Sequence, residues 1–459
     1  MEALDQILKT CFCDLKFYKY EIKLMAPFPA PQRSYLEAAL LEARERYAAK
    51  RPNSAALHRE AVSVLPGGNT RTVLAYAPFP TAMDRGESCR LWDIDGNAYL
   101  DLCGEYTAGL FGHTEPRIHS AMQQAMARGL SLGAVGKAEQ LLARILYDRF
   151  SSIDLIRFTN SGTEANLIAL SAARVSTGRS RIIAFKGGYH GSVLHFPVTG
   201  ASPILVPFPT TLCEYNDTEG TVAAIKAMGD DLAAVIVEPM LGSGGCIAAS
   251  PEFLTAVAEA TRATGALLIF DEVMTSRMAG GGMQQRLDVE PDITTLGKYV
   301  GGGMSFGAFG GRREVMEIFT SRVAHPGTFN NNVMTMAAGI AAMGEVFTPA
   351  VAEELFSLGE RLRGRLNAIC EAAGAPLQFT GIGSLATPHF RRGDITSPYA
   401  ASAVEESLKE LFFFDMLDAG VYLARRGMTA LSLPTTETDL KEFTDAVQAF
   451  VAKRASLMQ

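Results

Sequence analysis

A single lysine lies in a stretch of the chain that is otherwise rich in glycine and apolar residues. Between Thr294 and Gly311 the sequence reads TTLGKYVGGGMSFGAFGG, with seven glycines and Lys298 as its one cation. The apolar neighbours predict that much of this stretch is buried, where an unpaired ammonium group is unfavourable. Lys298 is therefore expected either to reach water or to have its amine occupied, and such an amine can act as a nucleophile towards a carbonyl group.

A short motif after another apolar run has the features of an anion site. The run LIRF leads into NSGTEANL, which places Ser161, Gly162 and Thr163 at the start of a predicted helix. Backbone N–H groups and hydroxyls at a helix N-terminus bind phosphate readily. The alternative is a simple helix cap, in which Glu164 closes a capping box with Ser161.

Two more apolar runs end in groups that could contact a flat ligand. The run RIIAF is followed by a glycine turn with Tyr189 and His190, where the tyrosine ring could stack on a ligand or lie at the surface. The run LLIF ends at Asp271. An ionised carboxylate there needs a partner, which could be an arginine of the chain or the N–H⁺ group of a ligand.

Together these groups match pyridoxal phosphate, which has a flat ring, a phosphate, a basic ring nitrogen and an aldehyde. In this interpretation Lys298 binds the aldehyde as a Schiff base, and Asp271 keeps the ring nitrogen protonated. Lys298 would then carry the proton between the substrate and the cofactor. No G-x-x-x-x-G-K-[ST] pattern surrounds Lys298, which argues against a nucleotide site.

The elements that position these groups form a regular pattern. From Thr114 to about Phe347, helix and strand patterns alternate, and the strands are almost continuously apolar. Such alternation predicts an α/β domain with a mostly parallel sheet flanked by helices, and ligands of such sheets lie at the carboxyl ends of the strands. We expect a large domain over 96–346 and a smaller α+β domain over 347–459. Residues 30–95 are expected to form a helix and a hairpin that pack with the small domain, after an extension over 1–29 with no assigned role.

Composition narrows the classes of partner. The 459 residues are 48% hydrophobic and 20% charged, which excludes general disorder, and the net charge of −7 comes without a basic stripe for nucleic acid. Apolar runs are strand-sized, so we expect no membrane partner. The seven cysteines are scattered without metal-type pairing. We therefore predict reduced thiols, no metal site and a cytoplasmic location.

The motifs resemble those of class III aminotransferases, which have the fold-type I architecture of pyridoxal-phosphate enzymes. The matching stretches, in family order from about Leu65 to Val451, are NSGTEAN, YHG, VEP, FDEVMTSR, TLGKYVGGGMSFGAFGG and GTFNNN. Within the class, NTRTVLAYAPFP, EYTAGLFGH and GTFNNNVMTMAAG are most similar to β-phenylalanine aminotransferases. Glutamate-1-semialdehyde aminomutases are the next relatives by resemblance.

The resemblance implies a role for each matching residue. It implies Lys298 and Asp271 as the catalytic residues, and a homodimer in which Thr328 reaches the phosphate of the neighbouring subunit. Tyr189 and Val273 would pack on the two faces of the ring, and Glu238 would support the site. The full set of cofactor-binding residues implied by the resemblance is Ser161, Gly162, Thr163, Tyr189, Glu238, Asp271, Val273, Lys298 and Thr328.

Two arginines match the carboxylate-binding positions of the β-amino acid enzymes. These are Arg71 and Arg426, although the adjacent Arg425 leaves the second assignment open by one position. Arginine forms bidentate pairs with carboxylates, and the alternative for each is an internal ion pair with Asp or Glu. The predicted reaction is ping-pong transfer from a β-amino acid, such as β-phenylalanine, to 2-oxoglutarate or pyruvate.

Two other functions are compatible with the same residues. An aminomutase would move the amino group within one molecule and would have no clear use for Arg426, and a binding module would keep the fold without catalysis. Three aromatic residues in loops are candidates for an apolar substrate pocket, namely Tyr76, Phe79 and Phe306. The alternative is that they pack against the rest of the protein, which is the more common role of aromatic residues in such loops.

Overall fold

The computed structural model describes residues 30–458, with side chains from residue 35 onward, so the predicted extension over 1–29 lies outside the described residues. The helices of the described part are α1 (Ala30–Ala49), α2 (Pro52–Ala61), α3 (Pro116–Met126), α4 (Lys137–Arg149), α5 (Gly162–Thr177), α6 (Thr218–Met228), α7 (Pro251–Thr264), α8 (Gly282–Leu287), α9 (Arg313–Met316), α10 (Ile318–Ser321), α11 (Val333–Ala341), α12 (Pro349–Ala372), α13 (Ala403–Asp418) and α14 (Glu437–Arg454). The strands of this part are β1 (Met83–Glu87), β2 (Arg90–Asp93), β3 (Ala98–Asp101), β4 (Leu155–Thr159), β5 (Arg181–Phe185), β6 (Thr210–Cys213), β7 (Leu232–Val237), β8 (Met240–Leu241), β9 (Ile247–Ala248), β10 (Leu267–Asp271), β11 (Ile293–Gly297), β12 (Gly307–Gly311), β13 (Gln378–Ile382), β14 (Leu385–His389), β15 (Val421–Tyr422) and β16 (Thr429–Ala430).

A seven-stranded sheet forms the centre of the molecule, in the order β4-β12-β11-β10-β7-β5-β6. The strands from β11 to β6 in this order all pair in parallel, whereas β12 is antiparallel to both of its neighbours. Consequently β4 and β11 run in the same direction, with β12 reversed between them. The predicted mostly parallel α/β sheet is confirmed.

The sheet is apolar on both faces because helices cover both. Side chains of a strand alternate between faces, and in β5 Ile183 and Phe185 join one buried cluster while Ile182 and Ala184 join another. Residues of α6 and α7 complete the first cluster, and residues of α5 complete the second. This two-sided burial explains the almost continuous apolar character of the strands.

The flanking helices begin and end where the sequence provides caps. The hydroxyl of Ser250 accepts a hydrogen bond from the N–H of Phe253 at the start of α7, and Pro251 occupies the first turn, where its missing N–H costs nothing. Gly265 ends α7 with φ of 70°, a left-handed conformation that glycine adopts without strain.

A second sheet joins segments that lie far apart in the sequence. The predicted hairpin is confirmed, since β2 and β3 pair in antiparallel fashion, and β15 adds in parallel to β3 to give the order β1-β2-β3-β15. The domain boundary predicted at residue 96 runs through this sheet, between β2 and β3. The helix α1 meets α13 through ion pairs that join Arg46 to Asp415 and Arg44 to Glu410.

The C-terminal part is a smaller α+β unit. Its sheet is antiparallel in the order β13-β14-β16, the long helices α12 and α13 pack on this sheet, and α14 packs on these two helices. Among the described residues no single helix is long and apolar enough to cross a bilayer. One pair of helical segments, Val333–Val346 and Pro349–Ala372, has the length and composition for it together, but the two segments are bent by 78° relative to each other. The five cysteines in the described part are buried free thiols.

Candidate active site

Five strands of the central sheet deliver candidate site residues at one edge. β4 leads to Ser161, β5 to Tyr189, β7 to Glu238, β10 ends at Asp271 and β11 leads to Lys298. Because these strands all run in the same direction, their carboxyl ends meet at the same edge. The structure therefore brings together the groups that the sequence analysis placed at separate strand ends.

Asp271 lies at the centre of a buried hydrogen-bond network. Only 4% of this residue is exposed, and its Oδ2 accepts hydrogen bonds of 2.8 Å from both Asn166 Nδ2 and His190 Nδ1. Its Oδ1 accepts from the backbone N–H of Val273 at 3.0 Å, and Asn166 is itself held by Thr295 Oγ1 at 2.6 Å. These three hydrogen bonds satisfy both oxygens of a carboxyl group that burial removes from water.

Val273 fits between two glycines from neighbouring elements. A Cβ atom added to Gly162 would lie 2.9 Å from Val273 Cγ2, and one added to Gly297 would lie 3.1 Å from Val273 Cγ1. Any side chain at Gly162 would therefore displace the valine. These contacts hold the valine side chain against the start of α5 and the end of β11.

The start of α5 provides donors for an anion. The hydroxyl of Ser161 accepts from the N–H of Glu164 at 3.2 Å and so caps the helix. The predicted capping box does not close on Ser161, because Glu164 Oε2 instead accepts from the N–H of Asn160 at 2.7 Å. Gly191 packs directly on Thr163, since an added Cβ would lie 2.3 Å from Thr163 Oγ1.

Lys298 begins the turn after β11 in a left-handed conformation, with φ of 55°. This conformation is uncommon for a residue with a side chain, and such strain is concentrated at functional sites. The Nζ atom donates to the backbone oxygen of Tyr106 at 2.9 Å. Burial, together with the positive charge of Arg426, lowers the pKa of Lys298 to about 8.

The lowered pKa of Lys298 predicts a pH profile for attachment of pyridoxal phosphate. A neutral amine is the nucleophile, so the attachment rate of the cofactor-free protein should rise with pH and level off above about pH 8, rather than near the ordinary lysine pKa of 10.5. Stopped-flow visible absorbance measures this rate, and Nα-acetyl-lysine in the same buffers corrects for titration of the cofactor. A rate that still rises up to pH 10 would contradict the prediction.

Tyr189 and Glu238 are linked through the backbone. Glu238 Oε1 accepts from the N–H of Tyr189 at 2.8 Å, and its Oε2 accepts from the N–H of Gly242 at 3.0 Å. Burial raises the pKa of Glu238. The hydrogen bonds of this carboxyl group thus hold the turn that carries Tyr189, a residue that remains 42% exposed.

Arg71 and Arg426 meet around one aromatic ring. The guanidinium carbon of Arg71 lies 5.3 Å from the centroid of the Tyr106 ring, and that of Arg426 lies 5.6 Å from it. Arg71 also forms an ion pair with Glu105, so the internal pairing considered for this arginine is present. Arg425 instead pairs with Glu410 at 2.8 Å, so the structure brings Arg426, and not Arg425, to the ring that Arg71 also contacts.

Other candidates lie elsewhere in the structure. The aromatic candidates follow the packing alternative: Tyr76 contacts Phe413 and Phe414 in the core, Phe79 accepts from a tyrosine hydroxyl through its backbone oxygen, and Phe306 packs on Phe158. Thr328 is exposed on the surface of the chain. Its contact across a dimer interface stays a prediction.

Several site residues were not identified from the sequence. Asn166 is the last residue of the NSGTEAN motif, Thr295 precedes Lys298 by three positions, and Tyr106 belongs to EYTAGLFGH. Each lies inside a motif quoted for the resemblance, which was the available signal. His190 was noted beside Tyr189, but its hydrogen bond to Asp271 was not foreseen.

The arrangement fits pyridoxal phosphate. The edge offers a buried carboxylate for a protonated ring nitrogen, helix-start donors for a phosphate and an amine with a lowered pKa for an aldehyde. The glycines at 162 and 297 leave room for the Val273 side chain between the start of α5 and the end of β11. Bound there, the cofactor would withdraw electrons from a substrate carbon.

Comparisons with known proteins also support a pyridoxal phosphate site. The family model described as Aminotransferase class-III matches residues 74–451. The β-phenylalanine transaminase of Variovorax paradoxus is 48% identical to this chain over 426 residues, which are 92% of this chain and 98% of the relative. A crystal structure of the β-phenylalanine aminotransferase from that organism has a TM-score of 0.90 and covers 92% of this chain and 99% of the other.

Two further relatives extend the comparison. A glutamate-1-semialdehyde 2,1-aminomutase of Sorangium cellulosum is 38% identical over 390 residues, 81% of this chain and 89% of the relative. A structure described as a transaminase with PLP bound is 31% identical, with a TM-score of 0.79 over 88% of this chain and 97% of the other. The chain therefore belongs to the class III aminotransferases and is a pyridoxal-phosphate-dependent enzyme of fold type I.

Proposed function

We propose that the enzyme transfers the amino group of a β-amino acid with an aromatic side chain, such as β-phenylalanine, to 2-oxoglutarate or pyruvate. The observation that carries this proposal is the pair of guanidinium groups, Arg71 and Arg426, on the ring of Tyr106, whose backbone oxygen accepts from Lys298 Nζ. Two cations near the reactive amine suit substrates that carry carboxylates in both half-reactions. The β-phenylalanine transaminase relative supports the donor class.

We assign the cofactor-facing groups as follows. Bound pyridoxal phosphate supplies an electron sink for the bond broken at the substrate carbon. Asp271 would hold the proton on the ring nitrogen, with Tyr189 and Val273 on the two ring faces. Lys298 would bind the aldehyde, and its freed amine would carry the proton between the substrate carbon and the cofactor carbon that held the aldehyde. The phosphate would lie on Ser161, Gly162 and Thr163, and Glu238 would hold the turn of Tyr189.

Replacement of Arg71 by alanine should lower the activity with carboxylate-bearing amino donors and leave the activity with simple amines nearly unchanged. A hydrogen bond to a charged group contributes about 1.5–3 kcal/mol, so kcat/KM for 3-amino-3-phenylpropanoate should fall by roughly tenfold to a hundredfold. The rate with 1-phenylethylamine, which has no carboxylate, should change little. Initial rates with both donors measure this difference, and Arg85→Ala, an exposed arginine paired with Glu87, is the control. Equal losses for the two donors would contradict the assignment.

A single half-reaction tests the proposed function directly. The enzyme with bound cofactor is mixed with 3-amino-3-phenylpropanoate without an oxo acid, and the visible absorbance of the cofactor is followed. Absorbance that disappears and returns on addition of 2-oxoglutarate or pyruvate supports the proposal and identifies the acceptor. No change with this donor would overturn it.

The aminomutase relative motivates a second candidate. An aminomutase moves the amino group within glutamate-1-semialdehyde and needs no separate acceptor. Conversion of that substrate without added oxo acid, and no half-reaction with the β-amino acid, would favour this candidate. The absence of an ion pair between Arg426 and a carboxylate among residues 35–458 favours the transaminase, because it leaves this arginine free for a substrate.

We also propose a homodimer with shared active sites. Thr328 is exposed, and the neighbouring Phe329 is 62% exposed, as expected for residues that a second subunit covers. Light scattering of the holoenzyme measures the subunit number, and a monomer would overturn this assignment. The cytoplasmic location stays a prediction from the composition, which fractionation of cells would test.

A further inference from the structure

Tyr106 lies in a backbone turn of rare conformation. The residues Gly104, Glu105, Tyr106 and Thr107 all have positive φ values, between 46° and 81°. Left-handed residues with side chains cost free energy, and three in succession persist only where other contacts hold them. Asp101 provides such contacts, since its Oδ1 accepts from the N–H groups of Cys103 at 2.9 Å and Gly104 at 3.0 Å.

Both ends of Tyr106 are fixed by hydrogen bonds. Its hydroxyl donates to the backbone oxygen of Val73 at 3.1 Å, and its backbone oxygen accepts from Lys298 Nζ at 2.9 Å. Val73 belongs to the loop that follows Arg71, so the hydroxyl ties the ring to the segment carrying that arginine. The ring is therefore held between the loop of Arg71 and the reactive lysine.

The two arginines have few other contacts to fix them. Arg71 is 41% exposed and pairs only with the exposed carboxylate of Glu105 among the described residues, a type of pair that contributes little. Arg426 donates through Nη2 to Met428 Sδ at 3.2 Å, and its buried Nε has no hydrogen-bond partner in the described chain. The ring of Tyr106 is the contact that both guanidinium groups share.

We propose that Tyr106 is a positioning residue whose ring holds Arg71 and Arg426 as one carboxylate-recognition unit, so that it determines selectivity for carboxylate substrates in both half-reactions. This inference rests on the proposed function. The two guanidinium carbons can be no farther apart than the sum of their distances from the centroid of the Tyr106 ring, which are 5.3 Å and 5.6 Å. Loss of the ring should weaken the binding of carboxylates at both arginines, whereas loss of one arginine should weaken carboxylate binding at that arginine alone.

The test compares Tyr106→Leu, which removes the ring, with Tyr106→Phe, which keeps it. The matched control is Tyr147→Leu, because the Tyr147 ring carries Arg144 at 4.9 Å on α4, apart from the site residues. Calorimetry of the holoenzyme with 3-phenylpropanoate and with glutarate measures binding without turnover. Initial rates with 3-amino-3-phenylpropanoate, 2-oxoglutarate and 1-phenylethylamine separate KM from kcat.

We expect Tyr106→Leu to weaken binding of both carboxylates by roughly threefold to thirtyfold, the range of cation–π contacts. KM for the two carboxylate substrates should rise by similar factors, and the rate with 1-phenylethylamine should be kept. Tyr106→Phe should retain most of the affinity, since the ring remains. Tyr106→Met replaces the leucine variant if thermal denaturation shows that the latter does not fold.

The outcomes separate this inference from the proposed function. Unchanged binding of both carboxylates in the ring-less variant, or weakening of only one, would overturn the inference. A wild-type enzyme that gives no half-reaction with the β-amino acid would overturn the proposed function instead. Equal loss with 1-phenylethylamine would show that the ring supports the lysine rather than the arginines, which also overturns the inference.

Discussion

Replacement of Lys298 by alanine should abolish amino transfer while the protein stays folded. In the proposed mechanism the variant loses both the amine that binds the aldehyde and the base that moves the proton, and each role alone is worth orders of magnitude in rate. We expect kcat to fall by at least about a thousandfold. Steady-state rates with 3-amino-3-phenylpropanoate measure the loss, and the visible absorbance of the lysine-attached cofactor should disappear.

The fold should survive this change for an electrostatic reason. Burial lowers the pKa of Lys298 to about 8, so the ammonium form destabilises the folded chain below that pH, and this effect is lost as the pH rises from 8 towards 10.5. Removal of the amine at neutral pH therefore removes an unfavourable charge. Lys226→Ala, at an exposed position of α6, is the control. Full activity of Lys298→Ala, or activity lost only because the protein unfolds, would count against the mechanism.

Replacement of Asp271 by asparagine should have the second largest effect. The carboxylate accepts from Asn166, His190 and Val273. An amide can accept through its oxygen only, so its NH₂ group must face at least one of these donors, and it cannot hold a proton on the ring nitrogen by charge. We expect kcat to fall by roughly a hundredfold to ten-thousandfold.

The matched control for this variant is Asp292→Asn. Asp292 precedes β11 at the opposite edge of the same sheet, where its Oδ2 accepts from the N–H of Leu268 at 2.8 Å and its Oδ1 pairs with Arg312. That variant should lose some thermal stability and keep its turnover. Similar turnover for Asp271→Asn and the wild-type enzyme would show that the ring-nitrogen charge does not matter, and the assignment of Asp271 would be wrong.

The fold was predictable because most of it follows from local patterns. Apolar runs of strand length alternate with capped helices, and β5 shows why each run is apolar throughout, since both of its faces are covered. The pairing of β15 with β3 was not predictable, because it joins Val421 to Leu100 across most of the chain and no local pattern specifies it. The reversed direction of β12 was equally hidden, since its sequence GAFGG has weak strand propensity.

The site was predictable where chemistry coincides with a strand end. Asp271 and Lys298 were predicted in this way, and adjacent parallel strands carry them to the same edge, while their catalytic roles stay predictions. Tyr106 lies inside the quoted motif EYTAGLFGH, but a Glu-Tyr-Thr sequence gives no signal for the left-handed turn that places its ring. Arg425 and Arg426 were inseparable by sequence because they share one chemistry, and their contacts distinguish them, since Arg425 pairs with Glu410 whereas Arg426 lies beside the Tyr106 ring.

The reversed strand β12 also narrows the edge at which the candidate site residues meet. Its first residue, Gly307, lies at this edge, where an added Cβ would be 2.1 Å from the backbone oxygen of Ser161. Because β12 carries no side chain at this point, the residues that follow β4 can approach those that end β11, and a Cβ added to Gly297 would lie 3.5 Å from the backbone nitrogen of Gly162. The anion donors at the helix start are therefore close to the backbone of Lys298. The distance between a bound anion and the reactive amine then comes from the length of the lysine side chain rather than from the spacing of the strands.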